Sequence, residues 1–325
     1  MLTFSKLSKK PSQVRAFTGL RTEEFREFAD VYRTEWGQRR VVSFSSKPKR
    51  IRAIGGGRRL KLSSFDDRLL CFLIYSKLYC TYDLLGYLFD CDNATACRTV
   101  ADIRNVVGDR LLVKFEPVNN QPDSGGTGPR RARRIRTIEE LLTVYPDLEE
   151  VLLDATEQKI PRPKNKKKRK SHHSGKKQAF TIMTQALTNK DSLMLHVSSP
   201  MAGRRHDVTL FKKSAVPKWL EKHKDKIHVR ADGGYQGMGE QYDINMTIPF
   251  KRSKYKPNLT RSEKIFNKKH SSKRIFAEHG FGGVKQFQLL GQTYRGKEKD
   301  YKRYFVAIAS VRNFRMLMRS QQPAA

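Results

Sequence analysis

Two aspartates in the 325-residue chain follow runs of apolar residues. Asp154 follows the run 151–153, and Asp232 follows the strand-like run 227–231 and precedes two glycines. A carboxylate in such a place is partly removed from water, which is costly unless it is paired, hydrogen-bonded or bound to a cation. Two strands that each end in Asp bring both carboxylates to one edge of a sheet. This pattern predicts a site that holds a cation.

Glu278 is the third candidate carboxylate. It lies in a predicted helix four residues after Arg274 and seven before Lys285, so the three side chains share one helical face. Carboxylate oxygens suit Mg²⁺ or Mn²⁺ rather than zinc. Two such ions about 3.5–4 Å apart stabilise the attacking and leaving oxygens of a phosphodiester displacement. The expected cofactor is therefore Mg²⁺, or Mn²⁺, with two ions per active site.

Each of these residues also has an ordinary structural interpretation. An Asp after an apolar run is often a cap or turn residue, and Arg274 with Glu278 matches a surface pair at i,i+4 spacing. Asp207 follows two arginines and a histidine, and it is interpreted as the N-cap of a helix that begins at Val208. The residue pattern alone leaves these alternatives open.

The charge balance indicates a polyanionic partner. The chain has 66 Lys and Arg against 32 Asp and Glu, which gives a formal net charge of +34. Such an excess predicts salt-sensitive association with polyanions, with nucleic acid as the first candidate. A membrane is disfavoured because the sequence has no apolar run long enough to span one and no signal-peptide core. We therefore expect a cytoplasmic protein with no membrane partner.

The distribution of patterns predicts four regions. Residues 1–58 form an N-terminal helix and a basic linker, and 59–115 contain three short helical patterns typical of a helix-turn-helix. A Pro/Gly/Arg-rich linker at 116–136 follows, and 137–325 alternate strand-like and helical runs in the order β-β-β-α-β-(β)-α. The expected fold class is α+β, with an all-α part followed by a mixed α/β domain.

Several boundaries are predicted within these regions. Thr22 is expected to cap a helix over 22–32, and Asn93 to cap the third helix of the helix-turn-helix. The stretch 208–223 is expected to form one helix. The run from Lys159 to Lys177 has ten basic residues and no acidic one, which is typical of a solvated loop.

Residues in two of these segments are candidates for DNA contact. The basic run connects two strands next to Asp154, which favours phosphate contacts over an idle loop. Residues near the start of the third short helix reach base edges in the major groove of DNA in such motifs, although a packing helix in a dimerisation element is the alternative. The predicted DNA-binding residues are Thr95, Arg98, Thr99, Lys164, Lys166, Lys167, Lys168, Arg169, Lys170, Arg204, Arg205, Arg274 and Lys285.

Taken together, the motifs resemble DDE transposases of the IS5 type, from bacterial insertion sequences. The segments FTGLRTEEF and LSSFDDRLLCFLIYSKLYCTYDLLGYLFDCDNATACRTV are similar to the leader and helix-turn-helix of that group. VLLDATEQKI, GRRHDVTLF, ADGGYQG and RIFAEHGFGGVK are similar to its catalytic half. The resemblance implies an RNase H-like catalytic domain in which Asp154, Asp232 and Glu278 are the catalytic, metal-binding triad. Ser271 departs from the family signature, which has Tyr there.

The resemblance also implies a function. A transposase of this kind binds the terminal inverted repeats of an insertion sequence, cleaves the DNA with divalent metal and transfers the resulting 3′-hydroxyls to target DNA. The implied partners are double-stranded DNA at the element ends and at the target, and a homodimer or larger synaptic complex on the bacterial nucleoid. The competing hypotheses are a catalytically silent, transposon-derived DNA-binding protein, a nuclease without strand transfer, and a structural nucleoid protein.

Overall fold

The computed structural model of the protein describes residues 1–46, 60–117 and 130–320. The chain divides into two units. The first comprises Met1–Ala132, Gln286–Leu289 and Val306–Ala325, and the second comprises Arg133–Lys285 and Leu290–Phe305. Much of both predicted linkers, at 47–58 and 118–129, lies outside the described residues. Within the described ranges, no helix has the length and apolar composition that crossing a bilayer requires.

The first unit is helical over most of its length. Its elements up to residue 117 are α1 (Phe4–Leu7), α2 (Pro11–Thr18), α3 (Thr22–Ser45), α4 (Phe65–Leu78), α5 (Tyr82–Phe89), α6 (Asn93–Val107) and β1 (Leu111–Pro117). Helices α4, α5 and α6 are the three that the sequence predicts for the helix-turn-helix. They pack against one another, and α4 is buried on nearly all sides.

Side-chain caps explain where these three helices begin. The Ser64 hydroxyl accepts a hydrogen bond from the Asp67 amide at 3.0 Å, and the Thr81 hydroxyl accepts one from Leu84 at 3.3 Å. The predicted cap of α6 is wrong by one residue, because Asp92 rather than Asn93 is the N-cap. Its carboxylate accepts from the Thr95 amide at 2.7 Å.

Helix α3 begins at Thr22 but continues to Ser45 instead of ending near residue 32. Thr22 is its first helical residue and not its cap, which is Arg21. The extension is held by Trp36, which is 8% exposed and donates from Nε1 to Asp102 Oδ2 at 2.9 Å. A contact so distant in sequence is not visible in the local pattern, which explains the shorter prediction.

The elements that follow residue 129 complete the fold. They are β2 (Arg130–Ile135), α7 (Leu141–Val144), β3 (Glu150–Lys159), α8 (Lys166–His172), β4 (His173–Ser174), β5 (Ala179–Thr188), β6 (Met194–Val197), β7 (Met201–Ala202), α9 (Asp207–Lys213), α10 (Val216–Lys222), β8 (His228–Arg230), α11 (Met238–Gln241), β9 (Met246–Thr247), α12 (Arg261–Lys285), α13 (Gln288–Gly291) and α14 (Glu298–Arg319). A short 3₁₀ turn, Gly233–Tyr235, lies between β8 and α11.

The second unit is built on a mixed sheet. Its strands are ordered β4-β5-β3-β8-β9, and β6 and β7 also pair with β5. Strand β3 is antiparallel to β5 and parallel to β8, which is in turn parallel to β9. The first strand of this sheet along the chain, β3, is therefore its central strand. The predicted fold class, an all-α part followed by a mixed-sheet domain, is confirmed.

Two local predictions in this unit are wrong. The expected single helix over 208–223 is two helices, α9 and α10, separated at Ser214, whose hydroxyl accepts from the Val216 amide at 3.3 Å. The basic run predicted as a loop contains α8 and β4. The Asn165 side chain caps α8 by accepting from the amides of Lys167 and Lys168 at 2.9 and 3.1 Å.

Helix α12 packs closely against the sheet. It contacts β3 and β5, and a Cβ atom on Gly280 would lie 3.1 Å from Cγ2 of Thr188 on β5. A larger residue at 280 would push this contact apart, so the glycine permits the close approach of helix and sheet. The helix continues through its glycines to Lys285.

Candidate active site

The register of the parallel pair β3–β8 places Asp154 beside Asp232. Leu152 pairs with Arg230, the last pair of this ladder, and each aspartate lies two residues beyond that pair, Asp154 within β3 and Asp232 just after the end of β8. Neighbouring strands are about 4.8 Å apart, so the two carboxylates occupy corresponding positions at the end of the pair. The sequence suggested that Asp154 ends its strand, and this prediction is wrong. Strand β3 continues to Lys159 through its pairing with β5.

The Asp154 carboxylate is partly buried, with 19% of its side chain exposed. Its Oδ1 accepts from the Ala155 amide at 2.9 Å and lies 3.6 Å from a guanidinium nitrogen of Arg274 on α12. Burial raises the pKa of Asp154 to about 6. The Ala155 amide and Arg274 oppose this shift, while the charges of Asp232 and Asp207 add to it. The fold thus keeps the Asp154 carboxylate in a partly buried position that disfavours its charged form.

Asp232 begins the 3₁₀ turn. Its Oδ1 accepts from the Gly234 amide at 2.7 Å. A Cβ atom on Gly233 would overlap with Cε of Lys251. The absence of a side chain at 233 therefore lets the Lys251 side chain pass close to the backbone beside Asp232.

The buried side chain of Tyr235 anchors this turn. Its side chain is 1% exposed, and its hydroxyl accepts from Nε2 of Gln185 on β5 at 2.8 Å. Burial raises the pKa of Tyr235, and the charges of Asp207, Asp154 and Asp232 raise it further. The phenol is therefore neutral, and it lies near enough to the three carboxylates to feel their charge.

Asp207 belongs to this group, although the sequence favoured a cap role for it. The N-cap of α9 is His206, and Asp207 is the first helical residue. A Cβ atom on Gly234 would lie 2.7 Å from Oδ1 of Asp232 and 3.6 Å from Oδ2 of Asp207. Both carboxylates therefore face one point above Gly234. Burial, followed by the charge of Asp232, raises the pKa of Asp207.

Glu278 is exposed on α12, one turn beyond Arg274. Among the described residues no ion pair joins Glu278 to Arg274, so the alternative of a simple surface pair is not realised. No three His, Cys, Asp or Glu side chains in the described part of the chain form a ready-made metal-binding group. The structure thus brings Asp154, Asp232 and Asp207 into mutual electrostatic contact and leaves Glu278 at the surface.

Basic side chains border the carboxylates. Burial lowers the pKa of Lys285, as does the charge of Lys177, while the charges of Asp154 and Glu157 oppose the shift. The charge of Lys176 lowers the pKa of Asp207 and so opposes the effect of burial on that carboxylate. These lysines supply positive charge next to the aspartates. Ser271, the departure from the family signature, is exposed on α12.

The predicted DNA-contacting residues of this unit are mostly exposed. Arg204 and Arg205 lie just before α9, and Lys164 lies just before α8. The exposed lysines of α8 are Lys166, Lys167, Lys168 and Lys170. Arg169 is half-buried, and its Nε has no hydrogen-bond partner in the described residues.

In the first unit, the three residues predicted to reach bases lie on different faces of α6. The Arg98 side chain is 74% exposed, and its NH2 donates to the Thr95 hydroxyl at 3.1 Å. Thr99 is only 3% exposed. It lies on the face of α6 that packs against the other helices, so it is not part of the exposed face that carries Arg98.

The donor set near Gly234 fits a hard divalent cation. It consists of carboxylate oxygens, which Mg²⁺ and Mn²⁺ prefer. The space in which a Cβ of Gly234 would stand is bordered by oxygens of Asp232 and Asp207. Asp154 lies on β3, two residues beyond the pair of Leu152 with Arg230, and Asp232 lies two residues beyond the same pair, after β8 has ended.

Comparison with known proteins identifies the family. A model described as DDE superfamily endonuclease matches residues 153–313, and one described as helix-turn-helix of DDE superfamily endonuclease matches 60–112. A probable transposase for insertion sequence element IS702, from Microchaete diplosiphon, is 29% identical over 264 residues, which are 81% of this chain and 85% of the relative. A crystal structure of a pre-cleavage Mos1 transpososome has 13% identity over 90% of this chain and 87% of that chain, with a TM-score of 0.18.

The family matches agree with the sequence motifs in both order and position. The endonuclease match begins one residue before Asp154 and includes Asp232 and Glu278, while the helix-turn-helix match covers α4 to α6. Endonuclease domains of this family are generally dependent on divalent metal ions. The predicted resemblance is therefore confirmed, and the chain belongs to the DDE superfamily endonucleases, as a transposase with the helix-turn-helix domain of that family.

Proposed function

We propose that the protein binds the terminal inverted repeats of its insertion sequence and catalyses metal-dependent cleavage and strand transfer at those ends. In this proposal residues 59–115 recognise the ends and 137–325 carry out the chemistry. The proposal rests mainly on the position of the two aspartates, each two residues beyond the last pair of the parallel β3–β8 ladder, Leu152 with Arg230. The relative named as a probable transposase supports it.

In the proposed mechanism, Asp154 and Asp232 would hold Mg²⁺ or Mn²⁺, two ions per site, with Glu278 of α12 as a further ligand. When bound, the metal stabilises the charge that develops on the attacking and leaving oxygens of the phosphodiester. In the structure, the Asp154 carboxylate contacts Arg274 and the Ala155 amide, and Asp232 accepts from the Gly234 amide. These contacts orient the aspartates in advance of the reaction.

The surrounding residues have supporting roles in the same proposal. Tyr235, held by Gln185, fixes the turn that carries Asp232. Lys285 and Arg274 supply positive charge for the DNA phosphates beside the site. Because two element ends are joined in one reaction, we expect a homodimer or a larger synaptic complex, acting on DNA in the bacterial nucleoid.

The exposed lysines of α8 are proposed to contact DNA phosphates. Replacing Lys166, Lys167, Lys168 and Lys170 by Gln is expected to weaken binding to all DNA sequences. The slope of log K against log salt is expected to flatten by up to about 3.6, because each of the four lost phosphate contacts contributes about 0.9. Fluorescence anisotropy over a salt series measures this slope.

The matched control replaces four exposed lysines of α9 and α10: Lys212, Lys213, Lys218 and Lys222. This variant loses the same charge and is expected to keep more of the salt slope. If log K depends on log salt with the same slope in both variants, the lysines of α8 act only through the net charge of the protein. An unchanged slope in the α8 variant would show that the helix stays in solvent.

Arg98 is proposed to read a guanine at the element end. Replacing Arg98 by Ala is expected to reduce discrimination between the element end and unrelated DNA by about tenfold or more, since a bidentate contact is worth about 1–3 kcal/mol. Competition binding measures this ratio. Arg98→Lys keeps the charge but loses the planar fork, so it is expected to bind both DNAs well and to discriminate poorly. Full discrimination in Arg98→Ala would contradict this role.

The proposed function is tested with a plasmid that carries the gene and its flanking DNA. The purified protein is incubated with Mg²⁺, with Mn²⁺ or with EDTA, and the cut positions are mapped for wild type and Asp232→Ala. We expect metal-dependent cuts at the flanking inverted repeats, absent in the variant. Tight binding at the repeats with no cutting by either protein would favour the catalytically silent alternative. Cutting without joined products would favour a nuclease that lacks strand transfer.

A further inference from the structure

The loop between β9 and α12 carries an exposed aromatic side chain among basic residues. Resting on the function proposed above, we propose that residues 251–256, the 251–256 loop, are a further DNA-binding element, in which the ring of Tyr255 stacks on an unpaired base close to the cut. The cations that flank the ring contact phosphates of the same strand. The motifs shared with the family and the predicted DNA-contacting residues all lie outside this segment.

The 251–256 loop is exposed but firmly held. Ser253 and Lys256 enclose a two-residue turn, in which each backbone amide donates to the carbonyl of the other residue, at 3.0 and 3.1 Å. Before the turn, the Asn267 side chain of α12 bonds both the amide and the carbonyl of Phe250 at 2.9 Å. After it, Lys256 forms an ion pair with Glu263 of α12. The tip of the loop is therefore preorganised, which lowers the cost of ordering it on a ligand.

Tyr255 occupies this tip, and its side chain is 94% exposed. Its hydroxyl and its ring have no partner in the described part of the chain. A ring so exposed on a fixed turn leaves its faces free for a ligand. Every base has a π-face, so stacking on an aromatic ring tolerates any nucleotide. The ring also loses little conformational entropy on binding, because only two torsion angles become fixed. Tyr255 is thus placed as a stacking platform and not as a packing residue.

The charge around Tyr255 fits a DNA strand and not a second copy of the protein. The stretch 251–262 contains five basic residues and no acidic one. Lys251, Arg252 and Lys254 are exposed and form no ion pair within the described ranges. A second copy carries the same net charge of +34 and would bring like charges together, whereas phosphates are attracted. The surface is therefore complementary to a nucleic-acid strand.

The loop begins beside the candidate active site. Nζ of Lys251 lies 3.1 Å from the position that a Cβ of Gly233 would occupy, next to Asp232. The Cα atoms of Lys251 and Tyr255 are separated by four residues, so they are at most about 14 Å apart. Base pairs rise about 3.4 Å each, so this distance corresponds to about four of them. A strand whose phosphate is held at Asp232 therefore has a base within reach of Tyr255 about four nucleotides from the cut or closer.

A cycle of changes in protein and DNA tests the proposal by binding alone. The full-length protein is titrated in EDTA with a duplex that carries one element end. Mismatches over the four nucleotides on each side of the repeat boundary unpair the bases there, so that the cost of unpairing is already met. Tyr255→Ala is expected to weaken this binding by about tenfold or more. A single abasic site is then moved through the same nucleotides, on each strand in turn.

At one position the abasic site is expected to remove the difference between Tyr255→Ala and wild type, because the stacked base is already missing. Tyr255→Phe keeps the ring and is expected to behave as wild type does at every position. Tyr87→Ala is the matched control, because it removes a tyrosine that is 83% exposed on α5. Its effect is expected to be the same on every abasic duplex. If the effects of Tyr255→Ala and the abasic site are additive at every position, the proposal is wrong.

Two further measurements define the role of the loop. The double variant Arg252→Gln with Lys254→Gln is expected to flatten the slope of log K against log salt by up to about 1.4–1.8, according to whether the contacted strand is single or paired. An unchanged slope would contradict the phosphate contacts. Sedimentation of the DNA-free protein is expected to be the same for wild type and Tyr255→Ala. Loss of self-association in the variant, with additive cycles, would assign the ring to a protein interface instead.

These results are independent of cleavage, because the cycle is measured without metal. If wild type cuts at the inverted repeats in Mg²⁺ and the cycles are additive, the inference about Tyr255 fails and the proposed function stands. If wild type neither prefers the repeats to unrelated DNA nor cuts them, the proposed function itself fails.

Discussion

Replacing Asp154 by Asn is expected to abolish cleavage at the element ends and to leave DNA binding intact. Asn keeps the size of the side chain but removes the negative charge that holds a divalent cation. Loss of metal stabilisation costs several kcal/mol in the transition state, which corresponds to a cleavage rate lower by about 10³-fold or more. The rate is measured under single-turnover conditions on a labelled duplex that carries one element end, after addition of Mg²⁺.

Two controls define this result. Asp225→Asn removes the same charge from an exposed position and is expected to cleave at the wild-type rate. The dissociation constant for the same duplex, measured in Ca²⁺ or EDTA, is expected to change by less than about threefold in Asp154→Asn. A cleavage rate within tenfold of wild type would remove Asp154 from the active site.

The same substitution is expected to stabilise the metal-free protein near neutral pH. Burial raises the pKa of Asp154 to about 6 from its ordinary value of 3.8. Between these two values the native state holds a proton that the unfolded state has released, so the stability of the wild type falls as pH rises through this range. The accumulated cost at pH 7.5 is about 3 kcal/mol, and Asn does not incur it.

Urea unfolding in EDTA at pH 4.0 and pH 7.5 tests this expectation. We define the difference as the free energy of unfolding of Asp154→Asn minus that of wild type. This difference is expected to increase, in the direction of a more stable variant, by about 2–3 kcal/mol from pH 4.0 to pH 7.5. Asp225→Asn is expected to show little change over the same interval. A difference between Asp154→Asn and wild type that does not depend on pH would contradict the burial and charge environment described for Asp154.

Local signals in the sequence were sufficient for several elements. The three short helical patterns predicted in 59–115 correspond to α4, α5 and α6. The starts of α4 and α5 are local in origin, since the Ser64 and Thr81 caps depend on atoms within three residues of one another. The basic run was harder, because the helix propensity of its lysines and the Asn165 cap outweighed the repulsion between like charges.

Tertiary packing determined what the sequence did not predict. The length of α3 depends on the bond between Trp36 and Asp102, which are far apart in the chain. Thr99 is buried because α6 turns that face toward the other helices. Asp207 was interpreted as a cap because a polar residue before a helix usually is one. Only the packing of α9 on β5 and the 3₁₀ turn reveals that its carboxylate faces Asp232.

In the proposed reaction, carboxylates at the end of the β3–β8 pair hold a metal ion against the phosphate that is cut. The most direct test places a single phosphorothioate, of defined stereochemistry, at the mapped cleavage position. Sulfur binds Mg²⁺ poorly and the softer Mn²⁺ better. We predict that one of the two diastereomers blocks cleavage in Mg²⁺ and that Mn²⁺ restores it, with no cleavage by Asp232→Asn in either metal. Equal inhibition of that diastereomer in both metals would contradict direct metal contact with the scissile phosphate.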